Sequence, residues 1–156
     1  MLPEIQCYLD TLRDLRGNVL KTLDGVDTAG LNWTLTNGRT NSLFVLGTHC
    51  IGSEHGWIFE TLHRGPKTRN RPAEFLVKGD DVGALSQQYA QTAGETQEIL
   101  GALTEADLAT TRDTERHGAV TTRWIIVHVV KHYSEHIGQM YLTRQLWEES
   151  SARRHV

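Results

Sequence analysis

The sequence predicts an all-α protein built as a four-helix bundle. Apolar residues recur at spacings of three and four along four long segments of the 156-residue chain, which is the pattern of a helix with one buried side. The chain has only three prolines, at its start and in one connecting stretch, so helices can continue almost everywhere else. Four helices of about 20 residues, each about 30 Å long, suit one antiparallel bundle.

The first helix is expected from Pro3 to about Leu23, because a single apolar stripe runs along this segment. The next segment, Gly25 to Thr40, is rich in Gly, Asp, Asn and Thr and contains the turn pair Asn37-Gly38, so it is expected to be a loop. A short extended piece is expected within it, where apolar residues alternate at Leu31, Trp33 and Leu35.

The second helix is expected from Ser42 to Arg64, with Asn41 or Ser42 as its N-cap. Two prolines and several basic residues between Gly65 and Lys78 predict an exposed connection of more than average length. The third helix is expected to begin after Asp80 or Asp81, either of which can cap it, and to continue to Leu103.

The fourth helix is expected from Thr122 to about Glu149. Before it, Thr104 and Asp107 have the spacing of a capping box, which starts at most a turn or two, and Thr110 to Ala119 is expected to be a polar loop. The length suits one compact core, so residues 1–156 are expected to form a single domain.

Composition excludes several classes of function. Lys and Arg number 16 against 19 Asp and Glu, a net charge of −3, so the chain lacks the basic excess that nucleic-acid binding requires. No apolar run approaches the roughly 20 residues of a membrane span, and the first residues do not have the layout of a signal peptide, so a cytoplasmic location is expected. Cys7, on the core face of the first helix, and Cys50 are expected to be reduced and to serve in packing.

The chain contains eight histidines, and three of them lie four residues apart on one ridge of the fourth helix: His128, His132 and His136. A pair at this spacing can chelate one metal ion, and helical phase makes His49 on the second helix the best third ligand. A core histidine with a hydrogen-bonded ring is the alternative for any single one. The other histidines are expected to point outward, to lie at a helix end or to be solvated: His55, His63, His117 and His155.

Two stretches carry a family resemblance. Residues 41–49, followed by Glu54 and Trp57, and residues 124–139, which include the three histidines of the ridge, resemble the DinB/YfiT-like superfamily of metalloenzymes. Members have a four-helix bundle with a long crossover connection. They bind a divalent metal through one histidine on the second helix and two histidines, four residues apart, on the fourth.

The resemblance implies that His49, His132 and His136 are the metal ligands, with His128 beside the site or in the core. It also implies a low-molecular-weight thiol, because the better understood branches are thiol-dependent transferases or isomerases. Three protein ligands leave a coordination position open, and a thiol that enters it is deprotonated by the metal. Zinc or nickel is expected, although such a site also accepts cobalt, copper or iron. The expected function is therefore a metal-dependent thiol S-transferase that acts on a small electrophile, with catalytic residues unassigned.

Two alternatives remain at this point: a non-catalytic metal-binding or stress-associated protein, and an interaction module with histidines in its core.

The carboxylates of Glu54 and Glu135 can orient a ligand ring or be solvated, and the tryptophans are expected to provide core or interface bulk, with Trp124 a candidate to line the site. Arg69 and Arg71 are expected in a solvated loop. A homodimer is expected through the apolar end of the fourth helix at Leu142, Leu146 and Trp147.

Overall fold

The computed structural model of the protein describes residues 1–35 and 38–153, so Asn37 of the expected turn pair and His155 lie outside the described residues. It confirms the all-α class. The helices are α1 (Pro3–Leu23), α2 (Thr28–Leu31), α3 (Leu43–His55), α4 (Arg71–Glu74), α5 (Gly83–Gly101), α6 (Glu105–Ala109) and α7 (Thr122–Ala152). A π-helical segment, Gly56–Leu62, extends α3, and strands β1 (Thr111–Thr114) and β2 (Gly118–Thr121) form an antiparallel hairpin before α7.

Side-chain caps explain where several helices begin. The Ser42 hydroxyl accepts a hydrogen bond from the Val45 N–H, and Thr121 caps α7 in the same way. Thr104 and Asp107 form the expected capping box at α6. The expected acidic cap of α5 is wrong, because the Asp81 carboxylate accepts from the Gly83 N–H in a local turn and the helix begins at Gly83 without a side-chain cap.

The order of contacts between the four long helices gives their directions. α1 and α3 are antiparallel, because Leu23 at the end of α1 lies beside Gly47 and the earlier Arg16 pairs with the later Glu54. α3 and α5 run parallel: the Tyr89 hydroxyl donates to the Gly47 carbonyl, and farther along both helices the Thr96 hydroxyl donates to Glu54. α1 and α7 also run parallel, since Arg123 pairs with Glu4 near their starts. The chain between α3 and α5 must therefore return along the bundle, which is the long crossover that the family resemblance implies, and a purely antiparallel bundle is wrong.

A buried carboxylate joins all four long helices. Glu54 on α3 is fully buried and accepts hydrogen bonds from Arg16 of α1 (2.6 Å), Thr96 of α5 (2.6 Å) and Tyr133 of α7 (2.8 Å). Apolar side chains from the same four helices surround this group. Glu54 is therefore not solvated, and its hydrogen bonds go to these three side chains rather than to a ligand ring. The three partners offset the cost of burying a charge.

Three further expectations need correction. The segment from Thr110 to Ala119, which was expected to be a polar loop, forms most of the hairpin. Strands were not predicted there because the alternation of apolar and polar residues is too short and the segment too polar. Cys7 is exposed rather than in the core, while Cys50 is buried as expected. The helix expected from Ser42 to Arg64, which begins as α3, does not end as an α-helix. The His63 N–H donates to the Ile58 carbonyl five residues back, in π-helical geometry. Within residues 1–35 and 38–153, none of the helices combines the length and the apolar composition that a membrane span needs.

Candidate metal centre and its cleft

The structure brings together the three histidines that the resemblance implies as ligands. One ring nitrogen each from His49, His132 and His136 lies within 4.8 Å of the others. The Nε2 atoms of His49 on α3 and His132 on α7 are 3.1 Å apart, where these two antiparallel helices face each other. His136 follows one turn later on α7, with its ring centroid 4.4 Å from that of His132.

A buried carboxylate orients His49. The His49 Nδ1–H donates to Oε2 of Glu74 over 2.7 Å, and the Arg69 guanidinium holds the same carboxylate through Nε at 2.6 Å and Nη2 at 3.0 Å. The Glu74 pKa is lowered despite its burial, because His49 and Arg69 both bond the charged form. A proton fixed on Nδ1 leaves the Nε2 lone pair of His49 directed at His132, which is the tautomer that a metal ligand needs.

Glu74 is the residue of the candidate site that could not be identified from the sequence. It lies in the crossover on the short helix α4, with Asn70 as the N-cap, so no helical periodicity connects it to His49. Arg69, expected in a solvated loop, is instead half-buried against it. Only an Asn-capped turn with a proline in its first turn marked this segment in the sequence, and that pattern does not indicate a ligand-orienting role.

His132 and His136 on α7 are held in their neutral form. Burial, with the neighbouring imidazoles of His136 and His49, lowers the pKa of His132 to about 3. The pKa of His136 is also lowered, mainly by burial, and its Nδ1 pairs with the Gln139 side-chain oxygen over 2.9 Å, which leaves Nε2 available. A metal ion can bind a neutral imidazole without displacing a proton, whereas it must displace one from a protonated imidazole.

These residues fit a divalent transition metal. Two nitrogens bound at about 2.1 Å to one tetrahedral ion lie roughly 3.4 Å apart, close to the 3.1 Å between His49 and His132. The Nε2 of His132 is the nitrogen that faces His49, whereas its buried Nδ1 has no hydrogen-bond partner among the described residues. Imidazole ligands suit zinc, nickel, copper and iron.

An aromatic cluster continues from the three histidines toward solvent. The His128 ring stacks on Trp124 with centroids 4.7 Å apart and an angle of 13°, and Trp57 meets His128 edge-on at 4.7 Å. His117 from the hairpin contacts Trp124 at 5.0 Å. His128 is therefore a wall residue beside the site, and His117, although exposed, belongs to this wall rather than to bulk solvent.

A cleft of about 790 Å³ opens above His49 and His132. The π-helical segment contributes one side of it through Trp57, Glu60 and Thr61, and the crossover and the hairpin supply the others. A π-helical turn shifts the side chains that follow it relative to a regular helix, and such turns are frequent at functional sites. His49 and His132 thus lie on the floor of an open, mostly polar cleft that is large enough for a small-molecule substrate.

The chain matches a known protein family over most of its length. The family model described as mycothiol S-transferase matches residues 8–149, which is most of the chain. The chain belongs to the mycothiol S-transferase family. Among curated proteins, none matches the sequence.

A solved structure supports the fold of this mycothiol S-transferase family member. The crystal structure of a conserved protein from Enterococcus faecalis superposes with a TM-score of 0.77 at 20% sequence identity, covering 94% of this chain and 98% of that chain. At this identity the likeness shows the fold alone. Together with the family model, it confirms the DinB/YfiT-like resemblance.

The remaining candidate residues do not belong to the group formed by the three histidines. His55 does not point freely outward: its ring pairs with Glu95 and Thr68 and stacks on Phe59. His63 is exposed, and Glu135 pairs with Lys131 on the solvent side of α7. Burial, with Glu54 and Glu74 nearby, raises the pKa of Cys50 to about 12, so its thiol is unsuited to act as a nucleophile.

Proposed function

We propose that the chain is a metal-dependent S-transferase that joins a low-molecular-weight thiol, mycothiol, to a small electrophile. The observation that carries the proposal is the convergence of His49, His132 and His136 in a member of this family, with His49 and His132 lining an open cleft. These three residues are the proposed ligands of one divalent ion, with zinc or nickel expected. The choice of mycothiol comes from the description of the family.

Each residue of the site has a proposed task. A bound divalent ion would supply positive charge that lowers the pKa of an incoming thiol. Glu74 and Arg69 keep His49 in one tautomer and orientation, and burial keeps His132 neutral. Trp57 and His128 form a wall that positions an apolar part of a substrate and excludes water from it.

The proposed transfer needs no protein nucleophile, because the thiol itself forms the new bond. The thiol sulfur forms a bond to the electrophilic carbon, the leaving group departs with its bonding electrons, and the thiol proton passes to solvent. For an electrophile that adds the thiol without a leaving group, the electron pair and a proton stay on the product. Cys50 takes no part, because it is buried and its pKa is raised to about 12.

The donor set favours catalysis over a structural ion. Structural zinc sites are closed by four protein ligands, whereas catalytic sites have three and an open position. Over residues 1–35 and 38–153, the group of side chains that could share an ion consists of His49, His132 and His136. A structural zinc site would have a fourth ligand from the protein.

The test is the rate of conjugation of mycothiol to a small electrophile. We expect metal-loaded protein to accelerate it, and metal-stripped protein and His132→Ala to lose the acceleration. Cys50→Ser is the matched control and should retain most of the activity. Equal rates with metal-loaded protein, stripped protein and His132→Ala would reject catalysis at this site.

Four organisational predictions accompany the proposal. We propose a single domain over residues 1–156, a cytoplasmic location and no nucleic-acid partner. We also propose a homodimer that uses α7, where the Leu142 side chain is exposed; Trp147 of the same region packs partly on Trp33. Light scattering that finds a monomer at every working concentration would contradict the dimer.

A further inference from the structure

We infer that the electrophile carries a carboxylate, which the arginine side chains at the rim of the cleft bind. This inference rests on the proposed function, since it names the substrate class of the same site. It is carried by three features of the rim: its charge, the availability of particular guanidinium groups, and the backbone conformation of Arg64.

The charge of the cleft is opposite to that of the chain. Six arginine and lysine side chains line it against three carboxylates, a surplus of +3, although the whole chain has a net charge of −3. A concave surface that concentrates one sign of charge raises the local concentration of the opposite ion. An anionic ligand is therefore drawn to this cleft, whereas the rest of the surface repels it.

Not all of these cations are available to a ligand. Arg69 is held by Glu74, and Arg112 donates to the Leu62 and Thr111 carbonyls. Lys67 lies 3.7 Å from Glu115. By contrast, within the described residues, Arg64, Arg71 and Arg116 form neither an ion pair nor a hydrogen bond, so their guanidinium groups can pair with a carboxylate.

Arg71 connects the rim to the three histidines. Its guanidinium lies 5.1 Å from the centroid of the Phe75 ring, and that ring lies 4.7 Å from the His49 imidazole. One aromatic ring therefore separates this cation from a proposed metal ligand. A small substrate can reach both at once, with its carboxylate at the rim and its reactive carbon near the floor.

Arg64 occupies a backbone position that favours glycine. It has φ 62°, just after the π-helical segment, where the following N–H of Gly65 donates to the Phe59 carbonyl. A side chain in this left-handed conformation costs stability relative to glycine, and glycine is the usual residue at such a helix end. The arginine here places a cation in the cleft at the expense of stability, as expected of a binding residue.

The binding test uses two electrophiles that differ in one group, 4-chloro-3-nitrobenzoate and 4-chloro-3-nitrobenzamide, with zinc-loaded protein at low ionic strength. Equilibrium dialysis, read by nitroarene absorbance, should show the benzoate binding about tenfold more tightly than the amide, as two partly exposed ion pairs would give. Added salt should reduce this preference.

Variants identify the groups responsible. Arg64→Gly combined with Arg71→Gln should bring the ratio of the affinities for the benzoate and the amide close to one. Arg64→Gly alone should raise Tm by a few degrees while weakening benzoate binding. Arg13→Gln is the matched control, because Arg13 is exposed on α1 and pairs with Asp10 and Asp14 away from the cleft. Equal affinity for the two compounds, no detectable binding of the benzoate, or a preference unchanged in the double variant would overturn the inference.

The same compounds separate this inference from the proposed function. In the transfer arm, the mycothiol sulfur bonds to the chlorinated carbon, chloride leaves with the bonding electrons, and the thiol proton passes to buffer. Selective benzoate binding without conjugation would support the anion site and count against transfer. Conjugation of both compounds at equal rates relative to the uncatalysed reactions, without selective binding, would support transfer and overturn the carboxylate inference.

Discussion

Replacing Glu54 by glutamine should be among the most destabilising single changes in this protein. Glu54 is fully buried and the side chain of its partner Arg16 is 10% exposed, with 2.6 Å between their charged atoms. Removing one partner of a buried pair leaves the other charge without compensation, which costs about 3–5 kcal/mol. For a chain of this size each kcal/mol lowers Tm by about 2–4 °C, so we expect a fall of roughly 6–20 °C.

The assay is urea or thermal unfolding of the wild type, Glu54→Gln and the control Glu135→Gln. Glu135 is exposed and pairs with Lys131 one turn away on the same helix, so its replacement should cost less than about 0.5 kcal/mol. Replacing Glu54 by leucine and Arg16 by methionine together should recover much of the loss, because neither charge then remains buried alone. A loss below about 1 kcal/mol in Glu54→Gln would refute the reasoning that this carboxylate holds the four helices together.

Three other predictions follow from the site and its surroundings. Glu74→Gln should weaken metal binding about 10–100-fold by loosening His49, as measured by competition with a chromophoric chelator; unchanged affinity would contradict the orienting role. Because burial lowers the pKa of His132 from the usual 6.5 to about 3, the unfolded chain takes up a proton first. The metal-free protein should therefore lose stability as pH falls from about 6.5 towards 3. The free energy of unfolding, measured by urea titration at several pH values, should depend less steeply on pH in His132→Gln. Iodoacetamide at pH 8.5 should modify exposed Cys7 and spare Cys50, whose pKa is raised to about 12; mass spectrometry showing equal labelling would contradict this.

The sequence was sufficient for the parts of the fold that depend on local periodicity. The apolar stripes of the first and fourth helices and the caps at Ser42 and Thr104 are short-range features, and the structure has them where they were expected. The hairpin was missed because its strands are four residues each and mostly polar. Helix directions depend on contacts between distant segments, so residue periodicity alone could not distinguish parallel from antiparallel neighbours.

In the candidate site, too, local sequence patterns predicted some residues, whereas others depend on contacts between distant segments. Spacing and helical phase indicated the ridge of His128, His132 and His136, and the family resemblance selected the pair. The orienting carboxylate could not be found from the sequence, because Glu74 reaches His49 from 25 residues away across an irregular connection. Glu54 was expected to orient a ligand ring or to be solvated, yet it points into the core, where Arg16 and Tyr133 donate to its carboxylate.

Metal content of protein purified without an affinity tag tests the central claim most directly. Wild type loaded with zinc and then desalted should contain one ion per chain, and His49→Ala, His132→Ala and His136→Ala should each lose it. His63→Ala is the control, because His63 is exposed and lies outside the ligand group, and it should retain the ion. A wild type without bound metal, or equal retention by all four variants, would contradict a metal centre built from these three histidines.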